Sequence, residues 1–328
     1  MTEAVIVASS IGPLLAATTV AGIALGGVFA LSALGVALVY RVTGVLNFAQ
    51  GAVGMFSTFI AWSVLFYLHP LAPTEGQAFK NVPSILIGVA AALLFSMVLG
   101  LVLHFGVFRW LKGRPQLVKA VITVGVLLAL QSIASLRFGS TQYHEAIRFF
   151  DPARCPYTNP RCVSLDVPGA NFSIGYDQLL VIGVALILAG GLALFLRGAR
   201  VGIAMRAMSD DIDAASLWGV PVDLVGAVSW MMGSLVAALA AILIISEGGA
   251  TFDTISLTVL ILDALAAALI GGLVSLPLTV AGGFALGLLE EFPKLWISSP
   301  GLTKFVAIVV ILAALLVRSE KSLLRAKA

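Results

Sequence analysis

GVLNFAQGAVGMF, residues 44–56, places two side-chain amides and three glycines between two long apolar runs. Upstream, residues 14–40 contain no charged side chain, and downstream neither do residues 47–68. Runs of 27 and 22 residues each exceed the roughly 20 needed to cross a hydrocarbon core about 30 Å thick. The stretch is therefore a joint between two membrane helices. In hydrocarbon an unpaired amide costs several kcal/mol, so Asn47 and Gln50 should face a polar pathway or other helices rather than lipid. Gly44, Gly51 and Gly54 each weaken a helix by about 1 kcal/mol relative to alanine. One reading is a segment that unwinds beside a transport pathway, as in discontinuous helices whose freed backbone groups bind solute. The other is an ordinary turn after Arg41 with Asn47 as helix N-cap.

The same apolar character extends over the whole chain. Of 328 residues, 60% are hydrophobic and 11% charged, and mean hydropathy is +1.09; a soluble domain has about 25% charged residues. The fold class expected is an all-α integral membrane protein, a polytopic bundle of 8–10 transmembrane helices. Nine spans are expected: 14–40, 47–68, 84–108, 120–138, 178–196, 224–246, 257–271, 278–289 and 303–317, the seventh and eighth being short. No charge-rich or Pro/Ser-rich linker divides the chain, so residues 1–328 read as a single transmembrane domain. The uninterrupted runs are too long for barrel strands.

Lys and Arg placement orients the bundle, because cytoplasmic loops accumulate them. With the N-terminus outside and the C-terminus in the cytoplasm, twelve of the nineteen fall inside: Arg41 and three clusters that begin at Arg109, Arg197 and Arg318. The N-terminus has no Lys or Arg before Arg41, hence no basic leader region, and the first run is expected to remain in the mature protein. Residues 139–176 then form an extracytoplasmic segment. It holds Cys155 and Cys162 with Pro156 and Pro160 between them, a spacing open to a disulfide-closed loop or to two free thiols. The three histidines, His69, His104 and His144, form no metal-ligand pattern. Nothing in a net charge of +3 points to nucleic acid.

Two further features carry functional readings. In 268–292, Gly271, Gly272, Pro277, Gly282, Gly283 and Gly287 interrupt an apolar run. A pair of such interrupted segments, one in each half, points to a midplane site, although small residues also serve close helix packing. Asp263 sits inside SLTVLILDALAAALIGG, where a carboxylate at bilayer depth costs about 2.5–3.5 kcal/mol. Either it faces the interior and carries function, or it lies near the outer interface in water. Glu290 and Glu291 read as an interfacial rim.

Residues 197–223 form the cytoplasmic loop RGARVGIAMRAMSDDIDAASLWGVPVD. Ser209 is expected to cap a helix of roughly nine residues, with Asp210, Asp211 and Asp213 in its first turn and Gly219 and Pro221 ending it. Such a helix suits the groove of a soluble partner, or a plain connector lying on the membrane.

GVLNFAQG at 44–51, RVGIAMRAMSDDIDAASLWGV at 200–220 and AALIGGLVSLPLTVAGGFALGLLE at 267–290 together resemble the LivH-type permease subunits of branched-chain amino acid ABC importers. The likeness runs in order over residues 20–318. With the residue readings above, the candidate substrate pathway comprises Gly44, Asn47, Phe48, Gln50, Gly51, Gly54, Asp263, Gly271, Gly272 and Pro277. The likeness also implies a coupling helix drawing on Arg206, Ser209, Asp210, Asp211, Asp213, Ala215, Leu217 and Gly219. The implied partners are a second permease subunit, two cytoplasmic ATPases and an extracytoplasmic substrate-binding protein, in a bacterial-type inner membrane. No G-x-x-x-x-G-K-[ST] sequence occurs, so ATP is expected to be used by the partners and this chain to be neither an enzyme nor a cofactor binder. The implied solute is leucine, isoleucine or valine, or a related small solute such as urea or an amide. Gln50 stands where the family commonly has histidine, and Asp263 where a basic or neutral residue is more usual. The rival reading is a secondary transporter using Asp263 for a proton or cation.

Overall fold

A computed structural model describes residues 2–68, 82–111, 113–139, 144–145, 147, 149, 164–166, 173–248, 251–273, 275–297, 305–313 and 316. Cys155 and Cys162 lie outside them. The helices are α1 (Thr2–Thr43), α2 (Gln50–Leu68), α3 (Val82–Gly106), α4 (Gln116–Phe138), α5 (Tyr176–Gly198), α6 (Arg200–Asp210), α7 (Ile212–Leu217), α8 (Val222–Gly248), α9 (Thr254–Ile270), α10 (Leu276–Glu291) and α11 (305–313). Six of these are long and apolar enough to cross a membrane: Gly12–Thr43 within α1, α2, α3, α4, α5 and α8. The other three expected spans are the shorter α9, α10 and α11. At a rise of 1.5 Å per residue, the 17 residues of α9 reach only about 26 Å, less than the hydrocarbon core.

Burial sorts the helices into a centre and a ring. Within the most apolar window of α1, 89% of residues are buried, whereas in α4 and α5 the figures are 17% and 22%. A helix that is apolar all round yet mostly exposed fits lipid rather than water, so α3, α4 and α5 form the lipid-facing ring. Leu94 and Val98 of α3, Leu128 and Leu136 of α4, and Ile187 and Leu194 of α5 present that face.

The centre is α1 wrapped by α10, α8 and α9, with α5 of the ring packing on α1 from outside. Close approach to α10 depends on absent side chains. A Cβ on Gly26 would sit 2.6 Å from Phe284 Cα, and on Gly22 3.1 Å from Leu288 Cα. A Cβ on Gly283 would overlap Ala30, and on Gly287 the backbone of Gly22 and Gly26. The small-residue pattern of α10 therefore serves packing between antiparallel neighbours. Of the two ends of the bundle, one gathers the C-termini of α1 and α3, the N-termini of α4 and α8, and α6 with α7; it is called the Arg41 end below.

Outside the helices, β1 (His144–Glu145) pairs antiparallel with β4 (Thr251–Phe252), and β2 (Ser164–Asp166) with β3 (Ser173–Gly175). β1 is thus fastened to the stretch between α8 and α9. Phe252 packs on Phe59 of α2, ring centroids 5.1 Å apart.

Candidate functional site

The opening stretch is a buried joint. Gly44, at φ 66°, ends α1 in the left-handed region that glycine enters without cost, and its N–H donates to Tyr40 O at 2.7 Å. Residues 45–48 then run on toward α2 without i→i+4 bonding. Asn47 is 1% exposed and Gln50 fully buried. Asn47 Oδ1 accepts from Ala49 N at 3.1 Å, and Asn47 Nδ2 donates to Gln50 Oε1 at 3.1 Å. Gln50 Nε2 in turn donates to Gly233 O of α8 at 3.0 Å. Thr123 of α4 donates to Leu46 O at 3.0 Å. Each amide is thereby satisfied inside protein, as non-helical backbone in a membrane bundle requires. Gly233 lies eleven residues into α8, so α2 begins about 16 Å along that helix from its Val222 end.

The glycines divide by role. Only Gly44 needs a special backbone conformation. Gly51 and Gly54 lie inside continuous α2, contrary to an unwound segment there. A Cβ on Gly51 would overlap Thr258 O of α9, and on Gly54 would stand 2.8 Å from Ala237 O of α8. Their missing side chains let three helices meet, and Phe48 packs against the apolar cluster at the same junction.

The second interrupted segment is a tight hairpin. Gly271 ends α9, Gly272 follows at φ 76°, and Leu273 at φ 62° is the one non-glycine with positive φ among the described residues. Leu273 N donates to Ala268 O at 2.9 Å. Ser275 is the N-cap residue of α10 and Pro277 lies in its first turn, where a missing N–H is harmless. Leu273 and Leu276 are 7% exposed and Gly272 and Ser275 are half-buried. Leu276 packs with Leu34, Ala37 and Leu38 of α1, while a Cβ on Gly35 would overlap Gln50 Nε2. Both broken segments accordingly lean on one stretch of α1, Leu34–Val42.

Asp263 is fully buried, which removes the solvated-interface reading. Helical spacing puts it on one stripe with Ala267 and Ile270, which pack on Gly282 of α10. Glu290, read from sequence as a rim residue, is 1% exposed, whereas neighbouring Glu291 reaches Lys294. Successive helical residues differ by 100°, so an acidic pair at a bundle edge puts one carboxylate in and one out. Sequence reasoning missed this, together with buried His104.

The loop after α5 differs from expectation in its cap. Ser209 lies in the last turn of α6, where its Oγ donates to Arg206 O at 2.8 Å and accepts from Arg41 Nε at 3.1 Å. Asp211 is the N-cap of α7: its Oδ1 accepts from Asp213 N at 2.8 Å and Ala214 N at 2.9 Å. The helix is six residues long, with Asp213 in its first turn and Ala215 its buried contact. Asp210 belongs to α6. The sequence signal failed because residues 200–210 already form a helix, whose Met205 and Met208 pack under α1, so Ser209 is interior. Arg206 Nη2 donates to Arg197 O at 3.4 Å, holding α6 to the end of α5. Leu217 and Trp218 form an exposed tip, 88% and 89% accessible, and Gly219 at φ 81° turns the chain toward α8. Asp211→Ala should destabilise α7 by about 1 kcal/mol, seen as faster amide hydrogen exchange at Asp213 and Ala214. Ser209→Ala should leave those two amides protected.

Between these parts at the Arg41 end lies a cavity of about 320 Å³. It is bordered by α1, the 44–49 joint, α3, α4, α6, α7 and α8, and so touches both the joint and the α7 segment.

A profile of the family described as branched-chain amino acid transport system, permease component, matches residues 18–315. The chain belongs to this family. Among relatives of the permease, the branched-chain amino acid transport permease BraD of Pseudomonas aeruginosa is 28% identical over 272 residues, 83% of each chain. LivH of Escherichia coli K12 is 27% identical over 278 residues, 85% of each chain. A probable LivH of Methanocaldococcus jannaschii is 26% identical over 300 residues, 88% of this permease and 85% of the relative. No solved structure matches the permease. These relatives are transport permeases, and the matched region contains the joint, the α9–α10 hairpin and the α6–α7 loop. The permease is a polytopic membrane transport subunit and not an enzyme.

Proposed function

We propose that this chain is the single-domain permease subunit of an ATP-driven importer for aliphatic amino acids, leucine, isoleucine and valine. The observation that carries the coupling half of this reading is α7. A helix capped by Asp211 holds Leu217 and Trp218 out at the Arg41 end, where apolar side chains in water invite a partner's groove. The excess of Lys and Arg makes that end cytoplasmic, with the N-terminus outside. Two cytoplasmic ATPases engage residues 197–223, a second permease subunit completes the pathway, and a binding protein delivers solute from the other side. ATP is hydrolysed by the partners. The pathway runs past the two broken segments that share α1, so Gly44, Asn47, Phe48, Gln50, Gly51, Gly54, Asp263, Gly271, Gly272 and Pro277 form or shape it. The relatives' names support the solute class.

The test is uptake into vesicles containing the permease pair, the ATPases and the binding protein. Leucine should accumulate only with ATP, and excess valine but not urea should compete. Asp211→Lys combined with Asp213→Lys should cut uptake at least about tenfold while insertion is normal, because it removes the cap and reverses the charge of the dock. Undiminished uptake would sink the dock. Accumulation by this chain alone under a proton gradient would replace the importer reading with a secondary transporter using Asp263.

A further inference from the structure

The cavity at the Arg41 end carries chemistry that neither the joint nor the coupling tip uses. Trp230 of α8 borders it and is fully buried, its ring stacked on Phe108 with centroids 4.0 Å apart. The indole N–H of Trp230 is buried and meets no acceptor among the described residues. A buried donor left unpaired is costly, so a ligand oxygen placed there is favoured. Lys119, in the first turn of α4, lines the same space and supplies a cation beside a helix N-terminus. Asp213 of α7 lines it as the opposite charge. The lining also includes the aliphatic side chains of Val42, Val45 and Ile212. The volume of about 320 Å³ is at the lower end of the roughly 300–1,000 Å³ of small-molecule sites.

We infer that this cavity binds the zwitterion of an aliphatic amino acid and reports the cytoplasmic level of the transported solute to the coupling segment. The carboxylate meets Lys119 and the Trp230 N–H, the ammonium meets Asp213, and the branched side chain packs on Val42, Val45 and Ile212. A ligand held this way ties α7, through Ile212 and Asp213, to α1, α4 and α8, which do not belong to the loop. Occupancy therefore restrains the segment that must move when the ATPases work, and import slows as product accumulates. The choice of solute rests on the importer reading above; the binding chemistry does not.

Calorimetric titration of the purified full-length permease tests the site directly. L-leucine should bind, while leucinamide, which lacks the carboxylate, and 4-methylpentanoate, which lacks the amine, should each bind about tenfold more weakly or worse. Lys119→Gln, at a half-exposed position, and Trp230→Phe, which keeps the ring on Phe108, should each weaken leucine about tenfold. Affinity unchanged in both variants, or no leucine binding at millimolar concentration, overturns the site. In the assembled transporter, leucine added on the ATPase side should slow uptake, and Lys119→Gln should raise the half-inhibiting concentration about tenfold. Normal uptake that is indifferent to leucine on that side overturns the feedback role. Absence of all uptake counts against the importer reading instead, and the titration still decides the site.

Discussion

Gly287→Val destabilises the permease by about 3 kcal/mol or more, the top of the range for overpacking, because the obstacle is main chain rather than a movable side chain. A Cβ at Gly287 would overlap Gly26 N and Cα and Gly22 O on α1, and none of these can rotate away. The neighbouring contact is of the same kind, since a Cβ at Gly283 would overlap Ala30. Relief requires α10 to move off α1, which breaks the most extensive helix pair in the bundle. Gly190→Val on α5 is the matched control: a Cβ there would meet nothing within 4 Å, so only the helix itself feels the change. Thermal unfolding in detergent, followed by size-exclusion recovery, should show Gly287→Val collapsing well below wild type and Gly190→Val close to it. Equal recovery of the two would mean that the α1–α10 crossing is looser than its geometry.

Those glycines also show where the sequence was ambiguous. In 268–292 and in 44–56, absence of a side chain served two readings, backbone freedom and close packing, and composition cannot choose between them. Structure separates them residue by residue: Gly44 and Gly272 use positive φ, whereas Gly51, Gly54, Gly282, Gly283 and Gly287 make room for a neighbour. The spans themselves were legible because an uncharged run of about 20 residues has few alternatives to a membrane helix. The seventh and eighth spans, 257–271 and 278–289, are shorter and the seventh carries Asp263; there the apolar runs located two helices, α9 and α10, neither among the six described helices long enough to cross a membrane. Asp263 was visible as a charge in an apolar run, yet its burial depends on α10 packing beside it. Glu290 and the cavity were not legible. The first differs from Glu291 only by helical phase, and the second is assembled from side chains spread between Val42 and Trp230, whose convergence only the packing of the helices sets. The cap of α7 failed at short range: Ser209 and Asp211 are both good N-cap residues, and the tertiary burial of Met205 and Met208 made the difference.

Gln50→Leu should both weaken the fold and slow transport. Gln50 ties α2 to α8 through Gly233 O while accepting from Asn47, in the gap that Gly35 leaves on α1. Leucine has similar size but no polar group, so Asn47 Nδ2 loses its acceptor in a buried place, at a cost of about 1–3 kcal/mol. Its branched methyls must also fit where a flat amide lies against Gly35. Asn47→Leu removes the bond to Gln50 and the cap on Ala49 N together, so the two substitutions act on one network. The double variant Asn47→Leu, Gln50→Leu should be less damaging than the sum of the singles by roughly 0.5–3 kcal/mol in unfolding measurements. In the reconstituted importer each single variant should still insert and bind the ATPases, but uptake should fall at least about tenfold with KM for leucine within about twofold of wild type. That pattern follows from geometry: the amide atoms that bond are turned on one another and on α8, so they set the angle at which α2 leaves the joint rather than holding solute. A large rise in KM with stability unchanged would instead put these amides in contact with the amino acid, and the joint would then be a binding element first and a mechanical one second.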